Sequence, residues 1–201
     1  LLFTNKGKIY RIKGYRIPEA TRNSKGLPVV NLLKLDKDEK VKTLVVMGKD
    51  DKLDGYLLFV TKNGLCKRVE LKEFNLIRQN GKIRNASGVR GMNVDGSSVI
   101  GACTDADGSY ILVVSKNGYG KKSLLDEYRI TSRGAKGVKT IQITEKNGDL
   151  VALKAVNGDE DAIIMTDNGI VIRIPISSCS TLGRSTQGVR LIKPQDGTFV
   201  S

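Results

Sequence analysis

The sequence predicts an all-β protein of the β-propeller type, assembled from four-stranded blades. Three observations lead there. A strand-and-turn phrase recurs at regular spacing, a second glycine turn follows it at a fixed offset, and few segments show helical periodicity.

The first phrase is an apolar run ending in an Asn-Gly or Lys-Gly turn. It occurs at Leu1–Gly7, Leu57–Gly64, Ile111–Gly118 and Ile163–Gly169, with the four glycines spaced 57, 54 and 51 residues apart. Asn-Gly is a strong hairpin signal, because both residues tolerate the positive φ of a type I′ turn. The returning strand is basic or mixed: Lys8–Arg11, Leu65–Arg68, Tyr119–Lys122 and Ile170–Arg173. The outgoing strand is apolar almost throughout, which suits a place near a propeller axis with sheets covering both faces.

The second phrase is Thr21–Gly26, Ser132–Gly137 and Gly183–Gly188. Its last glycine lies 19 residues beyond the turn glycine each time. It leads into short apolar strands at Val29–Val30, Val138–Ile143 and Val189–Ile192. A fourth strand follows at Thr43–Met47, Val99–Cys103 and Leu150–Leu153, and acidic, Gly-rich loops (48–55, 105–108, 157–161) join it to the next repeat. Four short strands per period is the rhythm of a propeller blade. The stretch Leu124–Tyr128 is a single helical turn at most.

These repeats span about 1–55, 56–109, 110–161 and 162–201 of one domain covering 1–201. The second repeat departs from the pattern. After Gly64 a second phrase ends at Gly81, an offset of 17, and another ends at Gly88 with no hairpin between them. Two turn phrases in succession imply that most of a blade is missing near residues 82–84. The last repeat is incomplete, stopping at Phe199-Val200-Ser201, and the opening in mid-strand suggests a fragment of something longer.

Lys and Arg number 34 against 21 Asp and Glu, a net charge of +13. That excess points to a polyanionic partner. Apolar content of 39% fits a soluble globular protein, and no apolar run approaches a membrane span, so the cytoplasm is the default location. Three distant cysteines and no histidine argue against a disulfide framework, a zinc site or a His-based catalytic centre. Gly118–Ser123 lacks the glycine spacing and the Gly-Lys-Ser/Thr order of a phosphate loop, and Asp159–Asp161 reads as a solvated loop. The expectation is a binding domain with no catalytic residue, metal or cofactor of its own.

The candidate site residues are cations recurring in register: Arg22 and Lys25, Arg78 and Lys82, Arg84 and Arg90, Arg133 and Lys136, Arg184 and Arg190. Lys121, Lys122 and Lys139 extend the set. One copy reads as an ordinary soluble turn, whereas copies in register around a propeller form an arc of positive charge. Small residues inside the turns (Ser24, Ala86, Ser87, Gly134, Ala135, Ser185, Thr186) would let a phosphate approach the backbone N–H groups. Aromatics are 5% and Trp is absent, so stacking on single strands is disfavoured against duplex DNA. No recognition helix is visible. The expected mode is backbone contact with bending.

Several stretches resemble the family of DNA gyrase A C-terminal domains. They are Tyr15–Arg22, Ser24–Leu33, Asn117–Lys121, Ser132–Val138, Thr144–Gly148 and Thr186–Ile192, in the family's order over nearly the whole chain. The family's Gln-Arg-Arg-Gly-Gly-Lys-Gly box is not intact; Thr21–Gly26 and Ser132–Gly137 are its nearest echoes. The resemblance implies a β-pinwheel, a propeller variant with strands exchanged between neighbouring blades. It implies duplex DNA wrapped on the basic perimeter. It further implies a holoenzyme of the rest of gyrase A with gyrase B, which uses ATP and Mg to supercoil DNA at the bacterial nucleoid. The isolated domain is expected to be monomeric. The equivalent domain of topoisomerase IV and a protein-interaction propeller are the alternative readings.

Overall fold

A computed structural model describes residues 1–47, 54–74 and 88–201. Among these the architecture is all-β, with three four-stranded antiparallel sheets, one two-stranded sheet and short 3-10 turns. No helix among the described residues is long and apolar enough to cross a membrane.

The hairpins fall where the first phrase predicts. They are β1 (Leu2–Thr4) with β2 (Lys8–Tyr10), β4 (Tyr56–Thr61) with β5 (Leu65–Glu70), β8 (Tyr110–Ser115) with β9 (Tyr119–Leu124), and β12 (Asp161–Met165) with β13 (Val171–Pro175). Their turns correct the type I′ expectation. Gly7, Gly64, Gly118 and Gly169 have positive φ, but among the described non-glycine residues only Asp38 and Asp95 do. Each turn instead closes by a hydrogen bond from the glycine N–H to the carbonyl of a Thr or Ser three residues earlier. The hydroxyl of that same residue accepts the next N–H: Thr4 from Lys8, Thr61 from Leu65, Ser115 from Tyr119 and Thr166 from Ile170. The result is a type I turn followed by a left-handed glycine bulge. The four hydroxyl residues are buried, so the polar turn is satisfied from within.

The remaining strands are β3 (Val41–Leu44), β6 (Val89–Arg90), β7 (Val99–Thr104), β10 (Val138–Lys139), β11 (Leu150–Val156) and β14 (Val189–Arg190). The sheet orders are β3-β1-β2-β6, β10-β5-β4-β7 and β11-β8-β9-β14. Thus β3, β7 and β11 form one lateral edge of their sheets and face one another from blade to blade. The apolar outgoing strands β4 and β8 lie second from that edge and are buried along nearly their whole length.

The opposite edge carries the exchange. β10 belongs to the third repeat yet pairs with β5 of the second, and β14 of the fourth pairs with β9 of the third. β6 likewise covers β2 of the first repeat. This is the pinwheel that the resemblance implies. The donor strands are shorter than predicted, two residues each, and Val29–Val30 forms no strand at all. It lies in a 3-10 turn, Val29–Asn31, exposed to solvent.

Three apolar clusters lie along the arc. Phe3, Phe59 and Phe74 meet edge to face in the first, at centroid separations of 5.4 and 6.3 Å. Leu58, Ile111 and Ile141 belong to the second, and Leu112, Ile176 and Ile192 to the third. The clusters join consecutive repeats, so each blade is stabilised by its neighbour. The acidic loops hold the blade ends. Asp107 accepts from the Thr104 N–H and hydroxyl at 3.0 and 2.8 Å, and Asp105 accepts the Tyr56 N–H at 2.8 Å.

Candidate nucleic-acid interface

The turns at Ser132–Gly137 and Gly183–Gly188 lie just before donor strands, so strand exchange carries their cations to the edge of the preceding blade, whereas Thr21–Gly26 leads into the exposed 3-10 turn. Arg22, Lys25, Arg90, Arg133, Lys136, Lys139 and Arg190 are exposed, and Arg184 is partly exposed. Arg78, Lys82 and Arg84 lie outside the described residues, as do Gly81 and the junction at 82–84.

Two predicted residues do not reach the surface. Lys121 and Lys122 are buried, donating to the carbonyls of Gly183 and Ile176 respectively, the latter at 2.9 Å. Lys67, three residues past its turn glycine as Lys121 is, repeats the arrangement with a 2.7 Å bond to the Gly91 carbonyl. Burial lowers both Lys67 and Lys121 from 10.5 to about 8. These lysines fasten the incoming segment of another repeat onto the blade. A basic strand is here a lining, and Lys121 and Lys122 leave the set of DNA-facing candidates for that reason.

The turns are organised by a feature that the basic pattern did not reveal. Glu73 accepts the Arg133 N–H at 3.1 Å, and Glu127 accepts the Arg184 N–H at 3.0 Å. Both glutamates lie nine residues beyond their turn glycine, so aligning the repeats by that glycine would have exposed the pair. Further amides are taken internally: Gly134 donates to the Gly91 carbonyl at 3.2 Å and Thr186 to the Gly183 carbonyl at 3.3 Å. The expected nest of free N–H groups is therefore largely occupied at these turns. Side-chain cations are left as the phosphate-reaching groups.

Those cations are held to different degrees. Lys136 pairs with Asp95. Arg184 Nη1 donates to the Lys139 carbonyl at 3.2 Å, while Lys139 Nζ donates to Gln142 at 2.9 Å. Arg190 donates to the Tyr119 hydroxyl at 2.8 Å, and its guanidinium lies 5.2 Å from that ring centroid, with Lys146 Nζ at 5.5 Å. Tyr119 is buried and serves as a support for two cations rather than as a stacking face for a base. Lys146 thereby joins the basic surface without having been singled out by the sequence pattern.

A family model described as the DNA gyrase C-terminal domain, a β-propeller, matches residues 1–46, 55–83, 84–102, 109–157 and 160–197. Among curated proteins, the DNA gyrase A protein of Staphylococcus epidermidis (strain ATCC 12228) is 37% identical over 247 aligned positions, covering all of this chain. Its counterpart in Staphylococcus aureus (strain NCTC 8325) gives the same figures. The chain spans 28% of the length of these relatives. A solved topoisomerase IV C-terminal domain superposes over the whole chain with a TM-score of 0.82 at 25% identity, covering 61% of that structure. A DNA gyrase A C-terminal domain gives 0.57 at 23%, covering 99% of this chain and 79% of that one. With exchanged outer strands, recurring basic turns and a family match across its blades, the chain belongs to the DNA gyrase C-terminal domain family.

Proposed function

We propose that this chain binds and bends duplex DNA along its exposed basic turns, acting as the C-terminal domain of a gyrase A protein. In this reading it presents DNA to a holoenzyme formed by the rest of gyrase A with gyrase B in the bacterial cytoplasm. ATP and Mg serve that holoenzyme, and the fragment itself cuts nothing. The carrying observation is the recurrence of exposed Arg and Lys at equivalent blade edges in a chain of net charge +13. Evenly spaced cations on a curved surface meet successive phosphates of a bent duplex and read no base edges.

The cation count sets the test. Two or three cations per repeat reaching phosphates would give roughly 8 to 12 contacts, for a log–log salt slope of roughly −7 to −11. With Lys121 and Lys122 inside, eight candidates remain among the described residues, and six to eight contacts from them give a slope of roughly −5 to −7. Titration of a labelled duplex at several salt concentrations measures it. A slope shallower than about −3 would remove the bending proposal, since so few contacts cannot hold a deformed duplex.

The junction near residues 82–84 supports a lost or omitted blade. The family match ends one segment at residue 83 and starts the next at 84, and the curated alignments need 247 positions for 201 residues. The topoisomerase IV reading is favoured by one observation, the TM-score of 0.82 over the whole chain. Relaxing closed circular DNA in the chain's presence separates the two: a positive linking difference supports chiral wrapping, and none supports the topoisomerase IV mode.

A further inference from the structure

The basic turns at Ser132–Gly137 and Gly183–Gly188 each rest on the same small platform. Past β5 and β9 the chain enters a 3-10 turn, Leu71–Phe74 in one blade and Leu125–Glu127 in the next. In register the two sequences are Leu71-Lys72-Glu73-Phe74 and Leu125-Asp126-Glu127-Tyr128. The leucine and the aromatic residue are buried in both copies, and the Tyr128 hydroxyl lies 2.5 Å from that of Thr140. A one-turn element pinned at both ends fixes the place of the glutamate between them.

Each glutamate turns its carboxylate to the backbone of the next repeat. Glu73 accepts the Arg133 N–H at 3.1 Å and Glu127 the Arg184 N–H at 3.0 Å. Because these bonds are to backbone, both guanidiniums keep donors for a phosphate. The buried lysines hold the adjoining carbonyls. Lys67 donates to the Gly91 carbonyl at 2.7 Å, which also takes the Gly134 N–H, and Lys121 donates to the Gly183 carbonyl. Burial is the main influence lowering both lysines; Glu73 and Glu127 oppose it, while Arg133 and Arg184 add to it. Ammonium, carboxylate and arginine thus form one close group in each blade.

Two simpler roles do not account for the glutamates. The 3-10 turn forms without them, since Gly14–Arg16 and Ile176–Ser178 are the equivalent turns with Arg16 and Ser178 at that place. Balancing a buried lysine needs only a carboxylate inside the blade, yet Glu73 is exposed and Glu127 partly so. A surface carboxylate beside the contacting cations repels phosphate, and so weakens a polyanion-binding face unless it also aids binding.

Building on the DNA-binding reading above, we propose that Glu73 and Glu127 are positioning residues for DNA contact. Each fixes the backbone from which Arg133 or Arg184 reaches the duplex. Ordering a loose arginine on a phosphate costs entropy, and a turn already held at that residue removes part of the loss.

Paired substitutions in the whole chain test this, with a labelled duplex titrated over a salt series. Glu73→Gln with Glu127→Gln and Glu73→Ala with Glu127→Ala remove the same charges, but only glutamine keeps an acceptor at the same reach. Charge alone would make both pairs tighten binding alike. Positioning makes the glutamine pair tighten it, with the alanine pair roughly 10-fold weaker than the glutamine pair. The alanine pair's log–log salt slope should also be shallower by about 2, one contact for each arginine released. Glu73→Asp with Glu127→Asp keeps the charges but not the reach, and should lose slope as the alanine pair does. It decides the question if the alanine pair fails to melt cooperatively. Arg133→Ala with Arg184→Ala should itself lower the slope by about 2, and adding the alanine pair to it should change the slope no further. Equal affinity and slope for the glutamine and alanine pairs would overturn the positioning role and leave DNA binding standing. An arginine pair that binds as wild type does would remove these arginines from the DNA contact, and the positioning role with them.

Discussion

Lys67 and Lys121 are ammonium groups almost without solvent, each anchored to one carbonyl. Burial brings both to about 8, against 10.5 when free. The folded chain therefore releases these protons first, and between those values the unfolded chain binds more protons. Stability consequently rises with pH across that window. Burial pushes Tyr10, Tyr128 and the thiols of Cys66, Cys103 and Cys179 upward. The unfolded chain therefore gains from ionising the thiols above about 9 and the tyrosines above about 10, and the rise is read below about 8.5. Urea unfolding at pH 7.0 and 8.5 should show a gain of about 0.5–1 kcal/mol per lysine. Lys67→Met and Lys121→Met should flatten it. The methionine keeps most of the stem, and the Gly91 and Gly183 carbonyls retain the Gly134 and Thr186 N–H donors. An undiminished slope in either variant would show that the buried ammonium is not its source.

At the scale of the element, identical turns have unequal surroundings, and this separates backbone strain from steric exclusion. Gly118 and Gly169 have φ of 81 and 85°, so alanine at either position is strained by about 1 kcal/mol. At Gly118 the new Cβ would also lie 2.2 Å from the Ile192 oxygen, whereas at Gly169 it meets nothing. Gly118→Ala should thus cost at least ~3 kcal/mol and Gly169→Ala about 1 kcal/mol, compared by chemical denaturation. Equal costs would show that the close approach of Ile192 to Gly118 contributes nothing. The hairpins were legible because turn chemistry and apolar alternation are local. The exchange was not legible from the repeats alone, because each two-residue donor strand finds its ladder in another repeat. Val29–Val30, an apolar pair in strand register, pairs with no strand among the described residues and forms a 3-10 segment. Lys121 and Lys122 misled because strand lysines usually mark solvent, and the carbonyls that receive them come from residues more than fifty positions away. Glu73 and Glu127 could have been found by register, since they share one offset.

For the whole molecule, charge and architecture make the arc behave as one surface whose parts are separable by mutation. Arg133 and Lys136 sit in a turn fastened by Glu73 through the backbone, so changing their side chains leaves that bond intact. Arg133→Glu combined with Lys136→Glu should remove two phosphate contacts and make the log–log salt slope shallower by about 2. Affinity at low salt should fall by roughly 10- to 100-fold, and by the same factor for unrelated duplex sequences, because backbone contacts carry no base information. Lys121→Met, a change of charge inside the blade, should leave the slope unaltered. Asp95→Asn releases Lys136 from its ion pair and should tighten binding modestly. A fluorescence titration with two unrelated duplexes over a salt series reads all four outcomes. If the double reversal weakened one duplex and spared the other, base readout would be at work. If it left DNA binding untouched while abolishing capture of an acidic protein, the arc would be a protein-docking surface. The recurring cations would then be aimed at carboxylates, not phosphates.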